Sequence, residues 1–167
     1  SLETTGLVNI DGSNVSLTTG GTLGSVNIVS GTLLTGAGIT VEGNWSNTAG
    51  IGAFTPGTHA VVFNPAAAGT SIINGSTNFY DLTCSNEGGQ TLQIDGSIGV
   101  SNVLTLSGSG AGNLLEIDGT GSITLSSQIG GDYIDVTGTL TVSGGIYSAT
   151  NSTPVAGAPA GWNILSG

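Results

Sequence analysis

Apolar side chains in this chain alternate with small polar ones over short runs, and Gly, Asn, Asp or Ser closes almost every run. Val26/Ile28, Val61/Phe63, Leu92/Ile94, Ile98/Val100, Leu104/Leu106, Leu115/Ile117, Ile123/Leu125 and Ile134/Val136 each stand two apart. Two-apart residues share one face of an extended strand, so each pair gives a short half-buried strand. Helix signals are nearly absent. Pro65-Ala66-Ala67-Ala68 is the one helix-tolerant stretch, and Gly69 ends it. The chain reads as all-β.

The spacing between pairs narrows the architecture. Leu92, Ile98 and Leu104 are six apart, and Ile94, Ile117 and Leu140 are 23 apart. "IDG" recurs at Ile10-Asp11-Gly12, Ile94-Asp95-Gly96 and Ile117-Asp118-Gly119. A repeat of about 20–25 residues holding several short strands marks a stack of coils, none of which buries its apolar face alone. The pattern predicts a single-stranded parallel β-helix, a right-handed β-solenoid forming one domain over residues 1–167. At about 4.8 Å per coil it would have about seven irregular coils and span roughly 35 Å, as one unit of a longer array or polymer. An antiparallel β-sandwich is the competing architecture, since it shares short strands and frequent turns. Two-residue hairpin signals are few, Asn74-Gly75 being the best, and this favours the solenoid. Residues 43–90 do not fit the 23-residue phase.

Composition excludes several kinds of work. The chain has no Lys or Arg and ten Asp and Glu, for a net charge of −10. Nucleic acid is not an expected partner, because neutralising phosphates takes Lys or Arg. An anionic membrane surface is unsuited for the same reason. No apolar run approaches the length of a transmembrane helix and no signal peptide is visible, so no membrane insertion is expected. Trypsin-like proteases find no basic cleavage site, which suits an extracellular or cell-surface location. The chain opens on Ser1 and holds no Met, as a processed or excised segment would. The single cysteine, Cys84, rules out an internal disulfide.

"AFTPGTHAVVFNP" (residues 53–65), "SIINGSTNFYDLTCSN" (71–86) and "GDYIDVTGTLTVSGG" with the later "GWNI" (131–164) carry a resemblance. They resemble units of large secreted bacterial surface proteins, of the filamentous-haemagglutinin-like and autotransporter-passenger type. The resemblance covers about two thirds of the chain. It implies a parallel β-helix and an adhesive or structural role outside the cell. No transporter barrel, sorting motif or secretion domain accompanies it.

Few residues suggest chemistry. Glu116 and Asp118 share one strand face about 6–7 Å apart, near the separation of glycosidase carboxylate pairs. Solvent-facing acids flanking the inward Leu115 and Ile117 are the simpler reading. Elimination on acidic sugars lacks the usual cation. A 23-residue phase would stack Asp95 on Asp118, where calcium could bridge them. An Asp-Gly corner, with Asp bonding its own backbone, is again simpler. His59 has no Cys or His nearby and makes no metal site alone. Cys84 falls in phase with Tyr80 and Leu82, as a buried inert thiol would. The aromatics Trp45, Phe54, Phe63, Phe79, Tyr80, Tyr133, Tyr147 and Trp162 read mostly as core fillers. Glycosylation triplets at Asn14, Asn44, Asn74 and Asn151 are near chance frequency for a chain this rich in Asn, Ser and Thr.

The expectation is therefore a non-enzymatic structural protein without a cofactor or resident metal. Neither terminus reads as capped. Unpaired coil edges invite strand addition by copies of the chain, head to tail. Leu2, Leu7, Val8 and Ile10 at one end and Trp162, Ile164 and Leu165 at the other are the expected contacts. The alternative is an adhesin or glycan-binding module that meets surface glycans through exposed aromatics and Asn.

Overall fold

A computed structural model describes residues 2–85, 89–127, 130–153 and 158–166, with side chains from residue 6 onward. The chain is a parallel β-solenoid of about seven turns. Each turn lays strand segments on three faces. Face A carries residues 2–4, 21–23, 39–41, 60–63, 81–84, 103–107, 131–132, 147–150 and 162–164 in that stacking order. Face B carries residues 7–10, 25–28, 45–47, 72–75, 91–94, 115–118 and 134–136. Face C begins with the three-stranded sheet Ser13–Leu17, Gly31–Thr35 and Phe54–Thr55. It resumes with 76–79, 97–100, Ser122–Leu125 and Thr141–Ser143. Every pairing between these strands is parallel, so the sandwich alternative is excluded.

The six-residue spacing of Leu92, Ile98 and Leu104 is one step around the coil, from face B to C to A. The 23-residue spacing is not a coil. Along face B the step is 18 residues from Val8 to Val26, 19 to Trp45, 28 to Ile73 and 21 to Ile94. From Leu92 to Ile117 it is 25, and from Ile117 to Val136 it is 19. Ile94 pairs with Ile73, whereas Ile117 pairs with Leu92 and Val136, so Ile94, Ile117 and Leu140 form no column. Strand lengths are held by pairing, but corners accept extra residues. The long step contains a 3-10 turn at Ile51–Ala53 and turns near 57–58 and 67–68, which is why residues 43–90 resist phasing.

Inward positions stack as columns. On face A, Leu23, Val41, Phe63, Cys84 and Leu106 follow one another, each fully shielded from solvent. Burying such side chains is worth about 1.5–3 kcal/mol each, and the columns supply the apolar area that no single coil has. The irregular middle is filled by rings. Trp45 meets Phe54 edge-on at 4.7 Å and Phe79 at 5.4 Å, and Phe54 lies 5.8 Å from Phe79, joining the two blocks of face C. The nitrogen donors inside this cluster find partners, while the buried Asn47 Oδ1 has none. Trp45 Nε1 donates to Thr77 Oγ1 at 3.0 Å, and Asn47 Nδ2 donates to the Ser76 carbonyl at 2.8 Å.

The corner between faces B and C is set by glycine. Gly75 takes φ +80°, and a Cβ on it would strike the Asn47 carbonyl of the coil below. A Cβ on Gly96 would in turn strike the Gly75 carbonyl. Asn74-Gly75 is thus a solenoid corner inside the continuous strand Thr70–Ser85, not a hairpin.

Candidate functional site

The two ends of the stack differ. At the N-terminal end, Leu2–Ile10 pairs only with Gly21–Ile28, and Ser13–Leu17 only with Gly31–Thr35, among the described residues. Val8, Val15 and Leu17 lie in register with Val26, Leu33 and Thr35, yet each is only half-buried. The core columns therefore run out toward open space here. Leu7 is 62% exposed, whereas Ile10 is fully buried. The backbone of Leu2 belongs to the edge strand, and its side chain lies outside the described residues.

The C-terminal end is plugged by aromatic rings. Trp162 is buried, its ring 5.5 Å from Tyr147, and its Nε1 donates to the Leu140 carbonyl at 2.8 Å. The Tyr147 ring fills the space above Gly131, and its hydroxyl accepts the Leu106 N–H at 3.0 Å. Burial raises the Tyr147 pKa well above the usual phenol range, against a smaller lowering from that hydrogen bond. Trp162–Ile164 pairs with Tyr147–Thr150 on one side. Ile164 is half-buried and Leu165 is exposed. Of the expected contact residues, Ile10 and Trp162 are core, while Leu7 and Leu165 face solvent.

Between the ends, outward side chains form ladders, because parallel register places like on like. Asn27 donates to Asn9 at 2.7 Å, Thr32 to Asn14 at 2.9 Å and Ser107 to Ser85 at 3.1 Å. Asn14, Asn44, Asn74 and Asn151 are all exposed.

The carboxylates sit differently from the spacing argument. Glu116 and Asp118 do share the outward row of face B, but both are hydrogen-bonded. Glu116 accepts from Thr91 at 2.8 Å and Thr137 at 2.9 Å. Asp118 accepts the Gly119 N–H at 2.7 Å, and Gly119 takes φ +116°, an Asp-Gly corner. Asp118 is in register with Gln93, not with Asp95. The stacked Asp95–Asp118 pair that calcium could have bridged is not formed. Asp95 instead accepts Gln93 Nε2 at 2.6 Å and the Thr120 N–H at 3.3 Å. The carboxylates in register are Glu116 and Asp135. Asp135 has its pKa raised by desolvation first and by the Glu116 charge second. Among the described residues no group of three or more His, Cys, Asp and Glu gathers as a metal ion would need.

Cys84 is fully buried in its face A column, and desolvation pushes its thiol up to about 12. His59 lies in the turn before Ala60–Phe63 rather than on a strand, and is half-buried. Of the aromatics, Tyr80 and Tyr133 are only half-buried. Tyr133 borders a cleft of about 440 Å³ on one flank, with Ala111 and Leu114 on one side and Asn151, Thr153 and Ser166 on the other. No described helix is long and apolar enough to cross a membrane. No family model, curated protein or solved structure matches the chain.

Proposed function

We propose that this protein is a structural subunit of an extracellular filament or surface fibre, joined head to tail with copies of itself by β-strand addition. The observation that carries the reading is the parallel, in-register stacking of coils, whose core columns reach the half-buried Val8, Val15 and Leu17 at one end of the described stack, beside two strands paired on one side only among the described residues. A coil laid on that end completes both the hydrogen bonds and the burial. In this arrangement the edge strand Trp162–Ile164 of one copy lies against Leu2–Ile10 of the next. Such a contact joins two different surfaces, and stacked along the solenoid axis it does not close into a ring, so it propagates as an open filament. The lack of Lys and Arg, with trypsin-like cleavage sites absent in consequence, supports a place outside the cell. A second reading, a glycan-binding surface module, is favoured by the Tyr133 cleft.

Electron microscopy over a concentration series tests the filament. The expected result is unbranched rods whose axial repeat equals one solenoid. Replacing Val15 and Leu17 together by Asp leaves single particles only. Monodisperse single particles at the highest concentration, or rods unaffected by the double substitution, overturn the proposal.

A further inference from the structure

We infer that the Tyr133 cleft is a binding site for a neutral saccharide of one or two sugar units. The cleft is built by the corner between faces A and B in four successive coils. In the lowest, residues 108–114 leave the coil as a loop closed by an antiparallel bridge between Gly110 and Asn113. The Asn113 N–H bonds the Gly110 carbonyl at 2.9 Å, and the Ser109 N–H bonds the Asn113 carbonyl at 3.1 Å. This loop is the wall. The next two corners, at Tyr133 and Asn151, are the floor. Tyr133 is held between coils: its N–H donates to the Thr150 carbonyl at 3.0 Å, and its carbonyl accepts the Leu115 N–H at 3.0 Å.

Tyr133 takes φ +53°. A left-handed backbone is costly for an aromatic residue and free for glycine. Most other positions with this backbone are glycine, as at Gly12, Gly31, Gly75 and Gly144, and Ala68, at φ +56°, carries only a methyl group. Strained residues of this kind persist where the surroundings fix them, and they gather at binding sites. Here the strain places an aromatic ring at a cleft. Asn151, at φ +48°, is a residue type that tolerates the conformation. Its Nδ2 donates to Asp132 Oδ1 at 2.9 Å, which fixes the amide in the cleft lining.

The lining selects a sugar. The volume lies within the roughly 300–1,000 Å³ typical of small-ligand sites. A tyrosine ring offers an apolar face to the C–H side of a pyranose and a hydroxyl to its rim. Asn151, Thr153 and Ser166, all exposed, supply an amide and two hydroxyls. The chain has no Lys or Arg, and Asp132 stands beside Asn151, so an acidic sugar is repelled. A neutral hexose unit fits this chemistry. The cleft is on the flank, so its occupancy does not depend on end-to-end joining.

The test is an amide-shift titration of the full chain with cellobiose, lactose and maltose, with digalacturonate as the acidic probe. The expected result is saturable shifts from at least one neutral disaccharide at residues 109–114, 133, 151–153 and 166, and none from digalacturonate. Tyr133→Gly removes the ring and also relieves the backbone. That variant is expected to keep or raise the melting temperature while weakening binding roughly tenfold or more. Three results overturn the inference: no saturable shift with any neutral probe, undiminished binding by Tyr133→Gly, or digalacturonate binding as tightly as the neutral sugars.

Discussion

Asp135 lies one strand from Glu116 on the outward row of face B, and the two carboxylates face the same strip of solvent. Its pKa is raised in the folded chain, so folding favours the protonated form. The stability this gives is fully present below the pKa of the unfolded chain and is lost as pH rises through the higher folded value. At neutral pH the ionised pair is therefore a liability, though a small one on a half-buried site. Asp135→Asn is expected to raise the melting temperature by about 1–2 °C at pH 7. The gain should vanish in acid, where the wild-type carboxyl is itself protonated. Thermal melts of both proteins from acid to neutral pH check this, and a gain independent of pH would assign it to something other than the carboxylate pair. Elsewhere in the molecule a buried polar group is fully compensated. Thr77 Oγ1 takes the Trp45 indole N–H in the core, and its burial is tolerable because that bond is made.

The elements of this fold are short strands, and the corners decide how they stack. Gly96 sits over the Gly75 carbonyl, so Gly96→Ala must push two coils apart or bend the corner. The expected loss is about 2–4 kcal/mol, or about 5–10 °C in melting temperature. Gly52 has ordinary φ and open space around its Cβ position, and Gly52→Ala should be nearly neutral. Paired calorimetric melts check the contrast. The strands themselves were legible: period-2 pairs such as Leu92/Ile94 and Ile98/Val100 are inward residues of faces B and C. The six-residue spacing marked the step between faces. What stayed hidden was corner length, which burial does not constrain. With steps of 18 to 28 residues on face B, a uniform 23-residue phase set Asp118 on Asp95 instead of Gln93. It also hid the contact of Glu116 with Asp135. The Tyr133 cleft did leave one trace. Ile134 and Val136 point inward, so alternation alone puts Tyr133 outside.

At the scale of the whole molecule, stability is a sum over coils and their contacts with neighbours. The ring cluster of Trp45, Phe54, Phe63 and Phe79 braces the middle, and Trp162 with Tyr147 closes one end. The first coil has neither. Hydrogen exchange on the isolated chain should therefore show amides of residues 7–17 opening first and those of 73–84 and 92–106 last, by about a hundredfold or more. Uniform exchange across the coils would show a single cooperative unit instead. If chains join as proposed, residues 7–17 become protected in the polymer, and the same measurement reads the joint directly.

The sealed thiol of Cys84 has a practical corollary. With that sulfur enclosed in its column and no lysine side chain on the surface, a maleimide or an active ester meets no reactive side chain. One cysteine introduced on any outward serine would be tagged alone. Dyes or gold could then be set coil by coil, turning the solenoid into a ruler whose graduations are chosen at will.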